Sequence, residues 1–366
     1  MSSPPVFVAH DAEFARVSGG APRLERLMAC PAHEGPVYLA GEHALLATSL
    51  PDLGSLESGR SQPGPAAAIL RIDLDGDRFP VAAERIRVLA TPAVMPNGMS
   101  LDTDGNLVVC EQGDARNHAC ISRIDPSTGE RRVVVDQWRG RRFNSPNDVA
   151  VDADGAIWFT DPSYGHLQGF RPPPEVGDFV YRWDPATGDA DVVADGFDKP
   201  NGIALSPDGA TLYVTDSGAN QAAGSFHPER PHHVVAFDVL GGRRLGGRRL
   251  VAVTAPGFPD GLKVDAGGRL YVSSPAGVLV LSPDGRLLGE IRIPGTVNFT
   301  FGGPGGNVLY VTADDSVWAA TLVAAGPAAR APAITAASLA ASSAAVPTPP
   351  ETDAAPSDPS ITGAAA

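Results

Sequence analysis

Lysine is nearly missing from this chain. Lys199 and Lys263 are the only two among 366 residues, so almost all positive charge is arginine. Schiff-base and lysine-cluster chemistry therefore have little to work with. Positive charge is short altogether: 28 Lys+Arg stand against 42 Asp+Glu, a formal net charge of −14. Phosphate neutralisation needs a basic face, so a nucleic-acid partner is excluded. Cysteine is sparse too, with Cys30, Cys110 and Cys120 widely spaced and no CxxC. That leaves no zinc knuckle and no thioredoxin-like pair, and buried free thiols are expected. No apolar run reaches the roughly 18 residues of a membrane helix. The opening MSSPPVFVAHDAEFARV has neither a charged n-region nor an apolar h-region, so no signal peptide is read there. A soluble, cytoplasmic protein with no membrane partner is the expectation. GxSxG, GxxxxGK[ST] and GxGxxG are all missing, which removes the serine-hydrolase elbow and the nucleotide loops.

What is present is an ample apolar fraction, 43%, and a repeat. PNGMSLDTDGNLVVCE from Pro96 returns as PNDVAVDADGAIWFTD from Pro146 and PNGIALSPDGATLYVTD from Pro200. It continues as PDGLKVDAGGRLYVSS from Pro259 and, more loosely, NFTFGGPGGNVLYVTA from Asn298. An early variant, HEGPVYLAGEHALLATS, starts at His33. The lead residues are Glu34, Asn97, Asn147, Asn201, Asp260 and Asn298, with successive gaps of 63, 50, 54, 59 and 38 residues. Each copy alternates with period two and is rich in Val, Ile, Leu and Tyr. Gly and Asp punctuate it, and no helical period is sustained. Such repeats predict an all-β, six-bladed β-propeller with a central metal-binding channel. The sixth copy has three strands, so RLERLM at Arg23–Met28 is expected to supply its outer strand and close the ring. The propeller domain is placed at 1–325. From Gly326 to Ala366, 31 of 41 residues are Ala, Pro, Ser or Thr with no aromatic, which predicts a disordered tail at 326–366.

Innermost propeller strands run along the central axis, so the six lead positions should face one another. Asn-Gly and Asp-Gly are also ordinary turn formers. The set is more pointed than any one copy, because all six leads carry side-chain oxygen. Carboxylate and amide oxygens around one axis suit a hard divalent cation, and Glu34 and Asp260 would neutralise its charge. Calcium fits best, with zinc, manganese or magnesium as alternatives. Loop anchoring by the same oxygens is the competing reading.

The chain resembles the senescence-marker-protein/gluconolactonase family, six-bladed calcium-dependent lactonases that include regucalcin. The likeness runs from about Arg23 to Leu322. It rests on HEGPVY at His33, RRFNSPNDVAVDADGAIWFTDPSYG at Arg141, KPNGIALSPDG at Lys199 and FPDGLKVD at Phe258. GVLVLSPDGRLLGEIRIP at Gly277, followed by NFTFGG, is similar to the bacterial branch. The resemblance implies metal ligands at Glu34, Asn201 and Asp260, with Asn147 as a fourth ligand or a substrate contact. It also implies that Asp260 moves the proton and that Arg142 touches substrate. Asp148, Asp161 and Asp216 are alternative bases. His118, His166, His227, His232 and His233 lie away from the leads and are expected to be solvated or structural.

The expected activity is hydrolysis of a small-molecule lactone to an aldonic acid, glucono-1,5-lactone among the candidates. A broader calcium-dependent esterase or phosphotriesterase, and a non-catalytic calcium-binding propeller, are the alternatives. Nothing in the sequence signals an oligomeric state.

Overall fold

The computed structural model describes residues 6–50, 66–76, 78–222 and 224–327. The tail predicted for 326–366 therefore falls almost wholly outside the described residues. Two N-terminal strands come first, β1 (Phe7–Ala9) and β2 (Arg23–Ala29). Blade one follows with β3 (Ala32–Leu39), β4 (Ala44–Ser49), β5 (Ile69–Asp73) and β6 (Ile86–Val88). Blade two holds β7 (Pro96–Leu101), β8 (Leu107–Glu111), β9 (Cys120–Ile124) and β10 (Arg131–Val135). A small hairpin of β11 (Gln137–Trp138) and β12 (Arg141–Arg142) leads to blade three. That blade holds β13 (Val149–Val151), β14 (Ile157–Asp161), β15 (Phe179–Trp183) and β16 (Ala190–Ala194). Blade four is β17 (Pro200–Leu205), β18 (Thr211–Asp216), β19 (His233–Leu240) and β20 (Arg244–Val253). Blade five is β21 (Leu262–Val264), β22 (Leu270–Ser274), β23 (Gly277–Leu281) and β24 (Leu287–Ile291). Blade six has β25 (Thr296–Gly302), β26 (Val308–Ala313) and β27 (Ser316–Thr321).

All blades are antiparallel meanders, and the protein is a six-bladed β-propeller. The expected closure is present: β2 pairs antiparallel with β27, from Arg23 opposite Thr321 to Ala29 opposite Ser316. That pairing completes blade six and removes two exposed edges at once. One strand was not foreseen. β1 adds a fifth strand to blade five, with Phe7 opposite Ile291 and Ala9 opposite Gly289. The Phe14 ring then covers Gly289, where a Cβ would lie 2.4 Å from it.

The core is divided into six apolar clusters among the described residues, one in each seam between neighbouring blades. Alternate residues of a strand serve opposite seams. Val109 packs toward blade one while Val108 and Cys110 pack toward blade three. Phe159 likewise faces blade two, and Trp158 faces blade four. Both faces of each blade are thereby buried, so inner strands such as β8 (LVVCE) and β14 (IWFTD) are buried at every position rather than in the period-two alternation expected from the sequence. All three cysteines are buried and free, as expected. No helix among the described residues is long and apolar enough to cross a membrane.

Candidate active site in the central channel

The lead residues sit where each innermost strand begins, and neighbouring blades hold them there. Gly98 N–H donates to the Asn147 carbonyl (2.8 Å), and Gly202 N–H donates to the Asp260 carbonyl (3.2 Å). Second-strand hydroxyls add a further clamp. Thr48 donates to the Asn97 carbonyl (3.1 Å), Thr160 to that of Asn201 (2.7 Å) and Thr215 to that of Asp260 (2.9 Å). Gly98 and Gly202, each following its lead, are therefore contact residues rather than hairpin turns. A Cβ on Gly98 would lie 2.3 Å from the Asn147 carbonyl oxygen, and one on Gly202 would lie 2.3 Å from that of Asp260.

This bonding pattern corrects the sixth lead. Gly261 N–H donates to the Val297 carbonyl (3.0 Å), so Val297, not Asn298, occupies the lead register of blade six. Asn298 sits one residue further on, the register that Asp148 holds in blade three. Each carries its own successor's N–H on Oδ1, Phe299 at 2.8 Å and Val149 at 2.9 Å. The axis thus carries two tiers. Glu34, Asn97, Asn147, Asn201 and Asp260 form the upper one. Asp148 and Asn298 belong to the lower, where the other blades place glycine.

Glu34 and Asp260 come together with Asn201. Asn298 Nδ2 donates to Glu34 Oε2 (2.9 Å), and the Glu34 and Asn201 side chains lie against the Asp260 carboxyl. Burial pushes the Glu34 carboxyl up to about 7, with the nearby Asp148 charge adding to the effect. Burial likewise holds Asp260 well above the usual carboxylate range, reinforced by Glu34 and Asp148. Crowded carboxyls in a dry channel call for a cation. Lys263 lies 3.7 Å from Asp148 Oδ2, one tier away. The Oδ1 atoms of Asn97, Asn147 and Asp260 are buried without a hydrogen-bond partner. Two orphaned amide oxygens and two carboxylates, one of them with an orphaned oxygen of its own, fit a hard divalent ion, which takes oxygen ligands. Among the described residues no three His, Cys, Asp or Glu side chains form a cluster, so amide oxygens must complete any such set.

A family model described as the SMP-30/gluconolactonase/LRE-like region matches residues 67–315. This chain belongs to that family. A gluconolactonase of Zymomonas mobilis subsp. mobilis is 31% identical over 290 residues, covering 78% of this chain and 76% of its own. A solved gluconolactonase of Xanthomonas campestris is 33% identical, covers 88% of this chain and 96% of its own, and superposes with a TM-score of 0.69. A regucalcin of Agrobacterium tumefaciens, described as calcium-binding, shares the fold at 18% identity and a TM-score of 0.59 over 84% and 95% of the two chains.

The other sequence candidates in this family member fall in different places. Arg142 is exposed on the β11–β12 hairpin, its backbone N–H donating to Glu175 Oε2 (3.2 Å). Asp161 and Asp216 are loop clamps. Asp161 accepts from Asn144 N (2.9 Å) and Ser145 N (2.8 Å), and Asp216 accepts from Asp198 N (3.0 Å) and Lys199 N (2.9 Å). Their oxygens hold the segments that lead into Asn147 and Asn201. His227 and His232 contact Glu229 and the Arg230 carbonyl on the surface, away from the ring. Two outer clefts of about 560 Å³ each, near Gln137 and Arg243, contain none of the ring residues.

Sequence reasoning missed two residues of the DPSYG loop. Arg171 donates to the carbonyls of Phe143 (3.1 Å) and Asn144 (3.0 Å), and to those of Asp114 and Asn117 (both 2.9 Å). It thereby ties three loops around the approach to Asn147. Tyr164 opens a single helical turn, Tyr164–Leu167, and its buried hydroxyl lies beside Asn201, Ser217 and Asp260. Burial, with the Asp260 charge, holds this phenol well above its ordinary value. The tyrosine in DPSYG was the available signal, but only the fold brings blade three's loop over the leads of blades four and five.

Proposed function

We propose that this protein hydrolyses small lactones of the aldonolactone class, glucono-1,5-lactone among them, and uses a divalent cation in the channel. The observation that carries the reading is the meeting of Glu34, Asp260 and Asn201 on the axis, with Asp260 Oδ1 buried and partnerless. Family membership and relatives named gluconolactonase supply the reaction class. Glu34, Asn147, Asn201 and Asp260 would hold the cation, and calcium suits a set made only of oxygen. When bound, the ion supplies Lewis-acid polarisation of the ester carbonyl.

Asp260 is the proton carrier in this reading. A water oxygen bonds to the carbonyl carbon as its proton passes to the Asp260 carboxylate. The ring C–O bond then breaks, and the proton moves to the departing alkoxide, giving the hydroxy acid. Asp148 is the weaker candidate because its oxygens already serve Lys263, Val149 N and Ile203 N (3.7, 2.9 and 3.4 Å).

The test is a pH-indicator hydrolysis screen of aldonolactones, simple lactones, aryl esters and phosphotriesters, with and without chelator. Turnover of lactones that stops on chelation and returns with calcium is expected, while the far-ultraviolet circular dichroism stays that of β-sheet. Preference for aryl or phosphate esters would move the assignment to a general esterase. Full lactonase activity in verified metal-free protein would remove the cation from the mechanism. Inactivity on every substrate would leave a binding propeller.

A further inference from the structure

Tyr164 is 7% exposed, and its Oη has no hydrogen-bond partner among protein atoms. A buried phenol without a partner is destabilising, because the group has given up water for nothing in return. Ser217 and Asn201 lie beside the hydroxyl without a well-formed hydrogen bond to it, and Ser217 Oγ gives its own proton to the Pro259 carbonyl. Nor is the ring free to swing away. Gly165 N–H donates to Ser145 Oγ (2.9 Å), which in turn donates to the Pro162 carbonyl (2.6 Å). A Cβ on Gly165 would lie 2.3 Å from the Arg171 side chain, so the turn is packed tightly against that anchor. Asp260 Oδ1 and Asn147 Oδ1, the nearby orphans, are acceptors. Tyr164 is the donor among them.

We propose that Tyr164 is a catalytic residue whose Oη donates a hydrogen bond to the lactone carbonyl oxygen as that oxygen takes on negative charge. The inference rests on the lactone-hydrolase reading above and adds a named protein donor to it. As water adds to the carbonyl carbon, its proton goes to Asp260 and the carbonyl π electrons go to oxygen. Tyr164 shares its O–H with that oxygen and keeps its proton throughout. When the ring C–O bond breaks, the electrons return to the carbonyl and the hydrogen bond weakens. A contact that strengthens only in the transition state raises kcat and leaves KM nearly untouched.

The experiment is Tyr164→Phe in the full chain, measured beside the parent with glucono-1,5-lactone under saturating calcium. Expected are a fall in kcat of about 10²-fold and a KM within about twofold, the signature of a lost transition-state contact. The melting temperature should stay level or rise, since the change deletes a partnerless buried hydroxyl. A purely structural tyrosine gives the opposite sign, with activity and melting temperature falling together, and that result overturns the proposal. Unchanged kcat overturns it as well. A raised KM at parental kcat would place the hydroxyl on a substrate hydroxyl instead, and also refutes it. A parent enzyme inactive on every lactone would sink the underlying function reading, and this inference with it.

Discussion

Gly202→Ala tests the idea that the ring is built by contact between blades. Gly202 sits in β17 with an ordinary backbone, so alanine is not barred by its dihedral angles. What bars it is the next blade. A Cβ there would lie 2.3 Å from the Asp260 carbonyl oxygen and 2.9 Å from Leu262 N, where ordinary contact begins near 3.4 Å. Blade five's entry must therefore retreat by about 1 Å, the scale of misplacement that costs about 10²-fold in rate. The retreat also stretches the Gly202 N–H bond to Asp260 (3.2 Å) and the Thr215 bond (2.9 Å). Overpacking of this kind costs about 1–3 kcal/mol. The assay is kcat on a lactone under saturating calcium, with melting temperature followed by circular dichroism. Gly41→Ala is the control, since a Cβ there meets nothing within 4 Å. The control should be neutral while Gly202→Ala loses both rate and stability. Parental kcat and melting temperature in Gly202→Ala would refute the contact argument and return the Asn-Gly step to a plain turn.

Two further outcomes follow from the carboxyls. Asp260→Asn should lower kcat by about 10²-fold or more if Asp260 both binds metal and moves the proton, and excess calcium should not restore it. Recovery of most of the rate at high calcium would make Asp260 a ligand only. Metal-free protein should lose stability as pH rises from about 4.5 to about 7. Burial raises the folded-state Glu34 carboxyl to about 7 from 4.5, so the folded state keeps a proton that the unfolded chain releases. Melting temperatures across that range should slope downward without metal and flatten with calcium; a flat metal-free profile would contradict the burial argument.

The propeller was legible because its signal is repeated. Six copies of one phrase set the blade count, and the three-strand sixth copy pointed to Arg23–Met28 as the closing strand. β1 escaped notice because three residues carry no period, and its pairing with β24 depends on a bare Gly289. The metal-ligand candidates were legible as a ring of oxygen-bearing leads, except in blade six. There the Pro-Asn phrase is lost, and a one-residue register difference separates Val297 from Asn298. Sequence also reads Asn-Gly the same way at a turn and at a crowded axis, because the crowding atom belongs to a blade some 50 residues away. Asp161 and Asp216 looked like spare bases for a similar reason. Only coordinates show their oxygens spent on backbone amides. Arg142 matched by phrase, yet the β11–β12 hairpin holds it in solvent.

The seam closed by β2 and β27 has a consequence in time as well as space. β2 leaves the ribosome almost 300 residues ahead of the strand it pairs with. Until β25 is made, Glu34 cannot meet Asn298, which is 264 positions later. Glu34 and Asp260 likewise belong to the first and fifth blades, so the pair cannot form before the fifth blade is made. The chemistry of the channel therefore switches on with ring closure. A cation that prefers the finished ring pulls the folding equilibrium toward it, by an amount set by its own concentration. On the cation reading proposed above, metal supply would bear on the final step of folding as well as on turnover.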